Sequence, residues 1–218
     1  MNILEADSIV VSFDQRPVLT NVYIKCSQHE IVGLLGRNGC GKSTLLKTIF
    51  GSLRAKYKSV RINGSWIDAG YKKSRVMMLP QSGFIPSNIR VIEAMKLFHV
   101  SIKTIEQFAP GLIPLLRHRP SQLSGGELRF LELLLILFSQ SQFCLLDEPF
   151  SGLAPVMIER AIEIMNEVKA EKGIIVTDHL HRYVTSCCNR FYYMQQGRVA
   201  ELASVNDLVR YGYVSSLE

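Results

Sequence analysis

A glycine-rich loop constrains the fold of this chain more than any other feature of its sequence. Residues 36–43 have the sequence GRNGCGKS, which matches the pattern G-x-x-x-x-G-K-[ST]. The loop follows a continuous apolar run at 31–35, IVGLL, which favours a buried strand. A helix is predicted to follow from Lys42 to about Phe50, with Gly51 as its C-terminal stop. This order of strand, loop and helix is the context in which the pattern binds phosphate.

The residue types in the loop suit an anion. Glycines allow successive backbone N–H groups to surround a phosphate, and the helix N-terminus adds a partial positive charge. Lys42 is placed to reach the β- and γ-phosphates of a nucleotide, and Ser43 to ligate Mg²⁺. The alternative is an ordinary glycine turn with an unrelated lysine. The predicted nucleotide-binding residues of the loop are Gly36, Arg37, Asn38, Gly39, Cys40, Gly41, Lys42, Ser43 and Thr44.

A second motif is an apolar strand that ends in two acids. Residues 143–146, FCLL, predict a buried strand, and Asp147 and Glu148 follow it directly. This order places both carboxylates at the carboxyl edge of the sheet, beside the phosphate loop. Asp147 is then a candidate for the Mg²⁺ shell, and Glu148 for polarising a water in line with the γ-phosphate. The alternative is two solvated acids that cap a strand.

A third motif lies upstream of this strand, at Leu123-Ser124-Gly125-Gly126-Glu127. Ser124 has a capping oxygen, and the two glycines expose N–H groups at the start of a helix, so the motif predicts a second anion site. One chain needs only one such site for a single ATP. The economical interpretation is that Ser124, Gly125, Gly126 and Glu127 serve the γ-phosphate of an ATP held by another copy. The alternative is a helix N-cap and nothing more.

Strands alternate with helices along the chain, which predicts an α/β fold with a mostly parallel central sheet. An antiparallel β subdomain is expected at the N-terminus, where two strands flank a turn at residues 14–17. A small helical subdomain is expected at about 84–140, within a single domain of residues 1–218. Besides the elements above, the predicted strands are 3–11, 18–26, 59–67, 75–79, 173–177 and a strand-turn-strand at 190–202. One predicted helix begins near 124, one spans about 155–171, and a short one begins at 180.

Composition excludes several other classes of protein. A chain of 218 residues with 47% hydrophobic and 20% charged residues is too apolar to be disordered. The longest uncharged apolar stretch, between Glu132 and Asp147, is too short for a membrane helix, so we expect a soluble chain. The net charge of +6 permits anionic partners. A basic cluster at 56–75 is interpreted as a solvated face rather than a nucleic-acid site.

The motifs together resemble the ATP-binding cassette of ABC transporters along nearly the whole chain. The order is that of the family: the phosphate loop, Gln81 after Leu79-Pro80, LSGGE at 123–127, LLDEP at 145–149, and His179. The resemblance implies a P-loop ATPase that binds ATP and Mg²⁺. It implies that Gln81 contacts Mg²⁺ or the attacking water, that His179 contacts the γ-phosphate, and that Phe13 stacks on adenine. Each of these residues also has a structural alternative. Taken alone, Gln81 suits a turn, His179 suits a structural residue at a strand end, and Phe13 suits an apolar residue at a strand end.

This sequence departs from the family pattern in two places that bear on function. The loop after LLDEP usually ends in Asp, whereas this chain has Ala154, which suggests a weak or asymmetric ATPase. His29 stands before Glu30 where a glycine is usual, which suggests a reshaped turn.

The resemblance implies an ATPase subunit that forms a homodimer or heterodimer around two ATP–Mg²⁺ and powers transport through separate membrane subunits. Such a subunit is cytoplasmic and peripheral on the inner face of the cell membrane, with no direct nucleic-acid contact expected. The segment 206–211 and the residues after LLDEP are similar to lipopolysaccharide-export and branched-chain amino-acid ATPases. One alternative is a soluble ABC ATPase that acts on nucleic acid or the ribosome. Another is a regulatory module that hardly turns over.

Overall fold

A computed structural model describes residues 1–213 of the chain, which form two β-sheets and the helices packed on them. The strands are β1 (Ile3–Phe13), β2 (Arg16–Ser27), β3 (Ile31–Leu35), β4 (Tyr57–Ile62), β5 (Ser65–Trp66), β6 (Val76–Leu79), β7 (Phe143–Asp147), β8 (Gly173–Thr177), β9 (Arg190–Gln195) and β10 (Arg198–Leu202). The helices are α1 (Lys42–Phe50), α2 (Val91–Leu97), α3 (Ile102–Phe108), α4 (Gly125–Leu137), α5 (Pro155–Val168), α6 (His181–Cys187) and α7 (Asp207–Arg210). Short 3₁₀ turns lie at Lys72–Ser74, Pro110–Leu115 and Pro120–Gln122.

The central sheet has the strand order β10-β9-β3-β8-β7-β6. Its ladders from β9 to β6 are parallel, and β10 adds an antiparallel edge. Every residue of β3, β7 and β8 is buried, because α4, α5 and α6 cover one face of the sheet and α1 with the second sheet covers the other. The predicted α/β fold with a mostly parallel sheet is confirmed. The carboxyl ends of these strands meet at one edge, where the loop at 36–43 and the acids Asp147 and Glu148 lie.

The second sheet is antiparallel, with the order β2-β1-β4-β5. Its inner face packs on α1 and the central sheet through a core that includes Leu4, Ile24, Leu34 and Leu45. The prediction of one strand over 59–67 was wrong, because the left-handed residues Asn63 and Gly64 turn the chain back into the β4–β5 hairpin. The predicted turn at 14–17 is shorter than expected. Only residues 14 and 15 form it, and both have positive φ.

The region between β6 and β7 is helical and contains α2, α3, the 3₁₀ turns at Pro110–Leu115 and Pro120–Gln122, and α4. Helix α4 begins after Ser124 and is buried from Arg129 to Leu137, which fits its nearly uniform apolar sequence. It packs on α5, β6 and β7. Helix α5 ends at Val168, short of the predicted 171, where hydrogen bonds of the i+3 type take over. Within residues 1–213, no helix combines the length and the apolar character needed to cross a bilayer.

Candidate active site

The phosphate loop connects β3 to α1 through glycines in conformations that side chains disfavour. Gly39 and Gly41 have φ of 77° and 115°. At Gly36, a Cβ atom would lie 2.4 Å from the Met194 carbonyl oxygen, so the loop rests directly on β9. Lys42 is buried, and its Nζ donates to the carbonyl oxygens of Gly36 at 2.7 Å and Arg37 at 3.2 Å. The loop therefore holds the lysine ammonium against its own carbonyl oxygens, which keeps this cation beside the backbone where a phosphate would bind.

Ser43 and Asp147 meet at the start of α1. The Ser43 hydroxyl donates to Asp147 Oδ1 at 3.0 Å. Oδ2 of Asp147 is buried and has no hydrogen-bond partner among the described residues. Burial raises the pKa of Asp147 above its ordinary value, and the hydrogen bond from Ser43 opposes this shift. A hydroxyl and a carboxylate with an unused oxygen are ligands that fit Mg²⁺, which binds hard oxygen donors and keeps part of its water shell.

Glu148 brings the predicted catalytic residues together. Gln81 Nε2 donates to Glu148 Oε2 at 2.9 Å, and His179 Nδ1 lies 3.7 Å from the same oxygen. The backbone of Glu148 is left-handed, with φ of 50°, and its N–H donates to the Thr177 carbonyl at 2.7 Å. A non-glycine residue in this conformation is strained and needs surrounding contacts to hold it there.

These groups surround one cleft of about 470 Å³, a volume typical of small-molecule sites. Its lining residues are Val18, Asn38, Gly39, Gly41, Lys42, Ser43, Thr44, Gln81, Glu148 and His179. Phe13 is exposed on the β1–β2 hairpin and is not one of them. Val18 provides an apolar side chain at the cleft instead, and no sequence signal distinguished it from other strand residues.

Arg129 is a residue of the site that the motif analysis missed. Its guanidinium donates to the carbonyl oxygens of Pro80, Asp147 and Glu148, each at 2.8 Å. It also pairs with Glu132 at 3.6 Å, and both side chains are buried. Burial lowers the pKa of Arg129 from its ordinary value. One buried cation thus connects the backbone before Gln81 to the backbone of the two acids.

Glu132 extends this connection to the loop after β6. Its Oε1 accepts the backbone N–H of Phe84 at 2.8 Å, and a Cβ atom on Gly83 would lie 3.1 Å from that oxygen. The sequence does contain a signal for the pair. Arg129 and Glu132 are opposite charges three residues apart, and all the other residues from Leu128 to Leu137 are apolar.

The motif at 123–127 lies away from this cleft. Ser124 caps α4: its Oγ accepts the Glu127 N–H at 3.2 Å, and Glu127 Oε2 accepts the Ser124 N–H at 2.8 Å. These hydrogen bonds lower the pKa of Glu127. Gly125 and Gly126 occupy the first two helical positions, where backbone N–H groups have no partner within the helix. The structure brings Ser124, Gly125, Gly126 and Glu127 together with one another, but not with Lys42.

The C-terminal segment contacts the back of the phosphate loop. Arg37 donates to the Gly212 carbonyl oxygen at 3.3 Å, so its side chain points away from the cleft. The ring of Tyr213 packs on Tyr193 and His181, with centroid distances of 5.6 and 6.2 Å. Burial raises the pKa of Tyr213. The loop is therefore supported by β9 and by residues 211–213.

Comparisons with known proteins bear on this arrangement. The sequence profile of the family described as ABC transporter matches residues 19–151. The chain is 27% identical over 218 residues to the lipopolysaccharide export system ATP-binding protein LptB of Haemophilus influenzae, covering 91% of this chain and 89% of that protein. It is 28% identical to the high-affinity branched-chain amino acid transport ATP-binding protein BraG of Pseudomonas aeruginosa, covering 90% of each. A solved ATP-binding subunit of an ABC transporter matches with a TM-score of 0.83 and 26% identity, covering 97% of this chain and 93% of the other.

Proposed function

The chain belongs to the ABC transporter family as an ATP-binding, ATP-hydrolysing subunit, and we propose that it works as a Mg²⁺-dependent dimer on separate membrane subunits. The observation that carries this proposal is the convergence of Lys42, the Ser43–Asp147 pair and the Gln81–Glu148 pair on one cleft. Relatives named for lipopolysaccharide export and branched-chain amino-acid transport support the same subclass.

In the proposed reaction, the loop residues 36–44 hold the phosphates of ATP and Lys42 neutralises their charge. Ser43 and Asp147 would hold Mg²⁺, with Gln81 completing its shell or contacting the attacking water. A bound Mg²⁺ neutralises charge that develops on the phosphate oxygens. Glu148 accepts a hydrogen bond from the attacking water and takes its proton, while His179 donates to the γ-phosphate. Phe13 would stack on adenine outside this cleft, since its ring is exposed and does not line the cleft.

We further propose that the 124–127 motif completes the site of a second copy. Its two glycine N–H groups are free of helix partners and exposed at the start of α4, and they do not face the cleft of their own chain. A head-to-tail pair of chains would bring this helix start against the γ-phosphate of the other chain. The protein would then lie on the inner face of the membrane, where the loop that contains Gln81 would contact a membrane subunit.

A complementation experiment tests the nucleotide site and the dimer together. Lys42→Ala removes the phosphate contact, and Ser124→Arg blocks the helix start, so each purified variant is expected to be inactive alone. Mixing them forms heterodimers in which one composite site keeps both a natural loop and a natural 124–127 motif. We expect ATPase activity to reappear in the mixture and to require Mg²⁺. Lys47→Ala is the matched control, because it removes an exposed lysine from the same helix.

Three outcomes would contradict the proposal. Unchanged ATP affinity of Lys42→Ala in a calorimetric titration would remove the loop from nucleotide binding. Full activity of Ser124→Arg alone would show that residues 124–127 do not complete a site. A mixture that stays inactive, although heterodimers are detected, would contradict the head-to-tail arrangement.

A further inference from the structure

The positive charge of this chain is concentrated in one short segment. Residues 54–75 contain seven of the 25 basic residues and one of the 19 acidic residues, which gives them a net charge of +6. The rest of the chain contains 18 residues of each sign, so the segment accounts for the whole net charge of the protein. A field of one sign over one part of a surface directs the molecule toward an anionic partner.

The fold gathers a part of this segment around a shallow depression of about 200 Å³. Trp66, Lys72, Lys73 and Arg75 line it, together with Asp68. Lys58 reaches the same place from β4, because its Nζ donates to the Asp68 carbonyl oxygen at 2.7 Å. We call Lys58, Trp66, Lys72, Lys73 and Arg75 the basic–aromatic surface.

Most of the basic side chains in the segment have no carboxylate partner. Lys72 pairs with Asp68 at 2.5 Å and Arg61 pairs with Asp7 at 3.2 Å. Within residues 1–213, no carboxylate lies within 4 Å of the other basic side chains of the segment, which are Arg54, Lys56, Lys58, Lys73 and Arg75. The attraction for an external anion is therefore not cancelled locally.

Large aromatic side chains are exposed among these cations. Tyr57 and Trp66 are both 61% exposed, and Tyr71 is 48% exposed. Trp66 lies on the edge strand β5 opposite Arg61, while the adjacent Val60 and Ile62 point into the core. The indole therefore belongs to the outer face of the sheet. An exposed aromatic beside lysines is the combination that proteins use at a membrane–water interface.

The surface lies at the opposite end of α1 from the nucleotide cleft. Gly51 ends α1, and the Tyr71 N–H donates to the Phe50 carbonyl oxygen at 3.0 Å, which fixes residues 69–71 against the helix end. A helix of nine residues separates the two ends by about 13 Å. The site described above leaves this surface without a role.

We propose that the basic–aromatic surface binds the anionic phospholipid headgroups of a bilayer. Lysines predominate in it, and their compact charges suit a diffuse anionic surface, whereas bidentate phosphate recognition favours arginine. The depression is also too small to follow a nucleic-acid strand, which requires an extended groove. Lipid contact adds an attachment to membrane that is independent of the proposed membrane subunits, and vesicle binding is measured without ATP.

The experiment uses Trp66, which is the only tryptophan of the chain and therefore reports on this surface alone. The full chain is mixed with phosphatidylcholine vesicles that contain about 30% phosphatidylglycerol, or with phosphatidylcholine alone, at low and high salt. We expect flotation with the anionic vesicles only, a blue shift of Trp66 emission, quenching by brominated acyl chains, and loss of all three at high salt.

The variant K72Q/K73Q/R75Q removes three cations of the surface, and its vesicle partition should fall about 100-fold, since each basic residue near the membrane contributes about a factor of five to ten. The control K103Q/R182Q/R198Q removes three exposed cations elsewhere and should bind vesicles like the natural protein. Both variants should retain natural ATPase activity, which verifies their folding without reference to lipid.

Other results would overturn the proposal. Equal losses in the two triple variants would indicate a general effect of net charge. Flotation with unchanged Trp66 emission would place the contact on another surface. Binding of a homopolymer RNA that requires Lys72, Lys73 and Arg75, with no binding of anionic vesicles, would assign the surface to nucleic acid.

Discussion

Gln81 donates a hydrogen bond from its side-chain Nε2 to Oε2 of Glu148 across 2.9 Å. The two residues follow β6 and β7, which are neighbours in the parallel sheet. The loop after β6 therefore touches the carboxylate that is proposed to take a proton from water. A movement of that loop would be transmitted directly to the position of Glu148.

Glu148→Gln is expected to keep ATP bound and to nearly abolish hydrolysis. The amide has the shape of the carboxylate but accepts no proton, and loss of a general base costs about 10²–10⁴ in rate. Because ATP then persists, the variant should accumulate as an ATP-dependent dimer, measured by light scattering with and without nucleotide. Gln81→Ala is the comparison, since it keeps the base and should lose less activity. Hydrolysis by Glu148→Gln at the natural rate would remove Glu148 from the mechanism.

Arg129→Met should destabilise the protein by about 3–5 kcal/mol, because it leaves Glu132 as an unpaired charge in the interior. Activity should also fall, because the carbonyl oxygen of Glu148 loses its hydrogen bond from Arg129. This hydrogen bond helps to hold the left-handed backbone that positions the Glu148 carboxylate. Chemical denaturation and steady-state ATPase assays measure the two effects separately.

The double variant Arg129→Met/Glu132→Gln separates positioning from stability. The glutamine removes the buried charge and retains an acceptor for the Phe84 N–H. We expect the free energy of unfolding to recover in large part and kcat to remain low. Recovery of kcat in step with stability would mean that Arg129 only stabilises the fold.

Much of this site follows from sequence because its motifs are local. The loop at 36–43 and the acids after β7 each stand beside an apolar strand, and parallel strands bring their carboxyl ends together without further information. Arg129 differs, because its role depends on three carbonyl oxygens from segments distant in sequence. The predicted strand boundaries were also wrong where one or two residues with positive φ end a strand. Asn63 and Gly64 interrupt a run that has strand-like residues on both sides.

Ala154→Asp should stabilise the protein by about 0.5–2 kcal/mol. Ala154 is the N-cap of α5, its φ and ψ of −68° and 151° are those of a capping residue, and its methyl group offers no acceptor to the helix N–H groups. Thermal unfolding with Ala154→Asn as the uncharged control measures the cap alone. Equal stability of all three proteins would show that the cap is already satisfied by solvent.

The same substitution tests coupling between two copies. The natural protein, with Ala154, is expected to have low basal ATPase activity and weak cooperativity in ATP. If the carboxylate restores contact with the opposing copy, Ala154→Asp should raise the rate or the Hill coefficient, and Ala154→Asn should not. A natural protein that is already fast and cooperative would show that this position does not govern coupling.

Lys172 should make stability depend on pH in the alkaline range. The side chain is buried, its ammonium donates to the Ser139 carbonyl oxygen, and burial lowers its pKa from 10.5. At neutral pH the folded and the unfolded chain both hold the proton of Lys172, and the buried charge destabilises the folded chain. As pH rises through the lowered pKa toward 10.5, the folded chain loses this proton before the unfolded chain does, and the destabilisation disappears. The free energy of unfolding of Lys172→Met, relative to the natural protein, should therefore decrease from pH 7 to pH 10.5.

Lys169→Met is the control for this pH series. Lys169 also follows α5, but its side chain is partly exposed and donates a hydrogen bond to Asn166. The decrease measured for Lys172→Met should exceed any change measured for Lys169→Met over the same range. A constant difference for Lys172→Met would mean that Lys172 relaxes into solvent.

The contact between Arg37 and the Gly212 carbonyl has a practical consequence for anyone who produces this protein. An affinity tag or fluorescent fusion joined after Glu218 would be separated by only five residues from Tyr213, whose ring packs on Tyr193 in the strand that supports the phosphate loop. A tag at the N-terminus instead extends β1 from Ile3, where the chain enters the antiparallel sheet. Purification handles and reporter proteins should therefore be placed before Met1, so that measured nucleotide affinities are those of the natural loop.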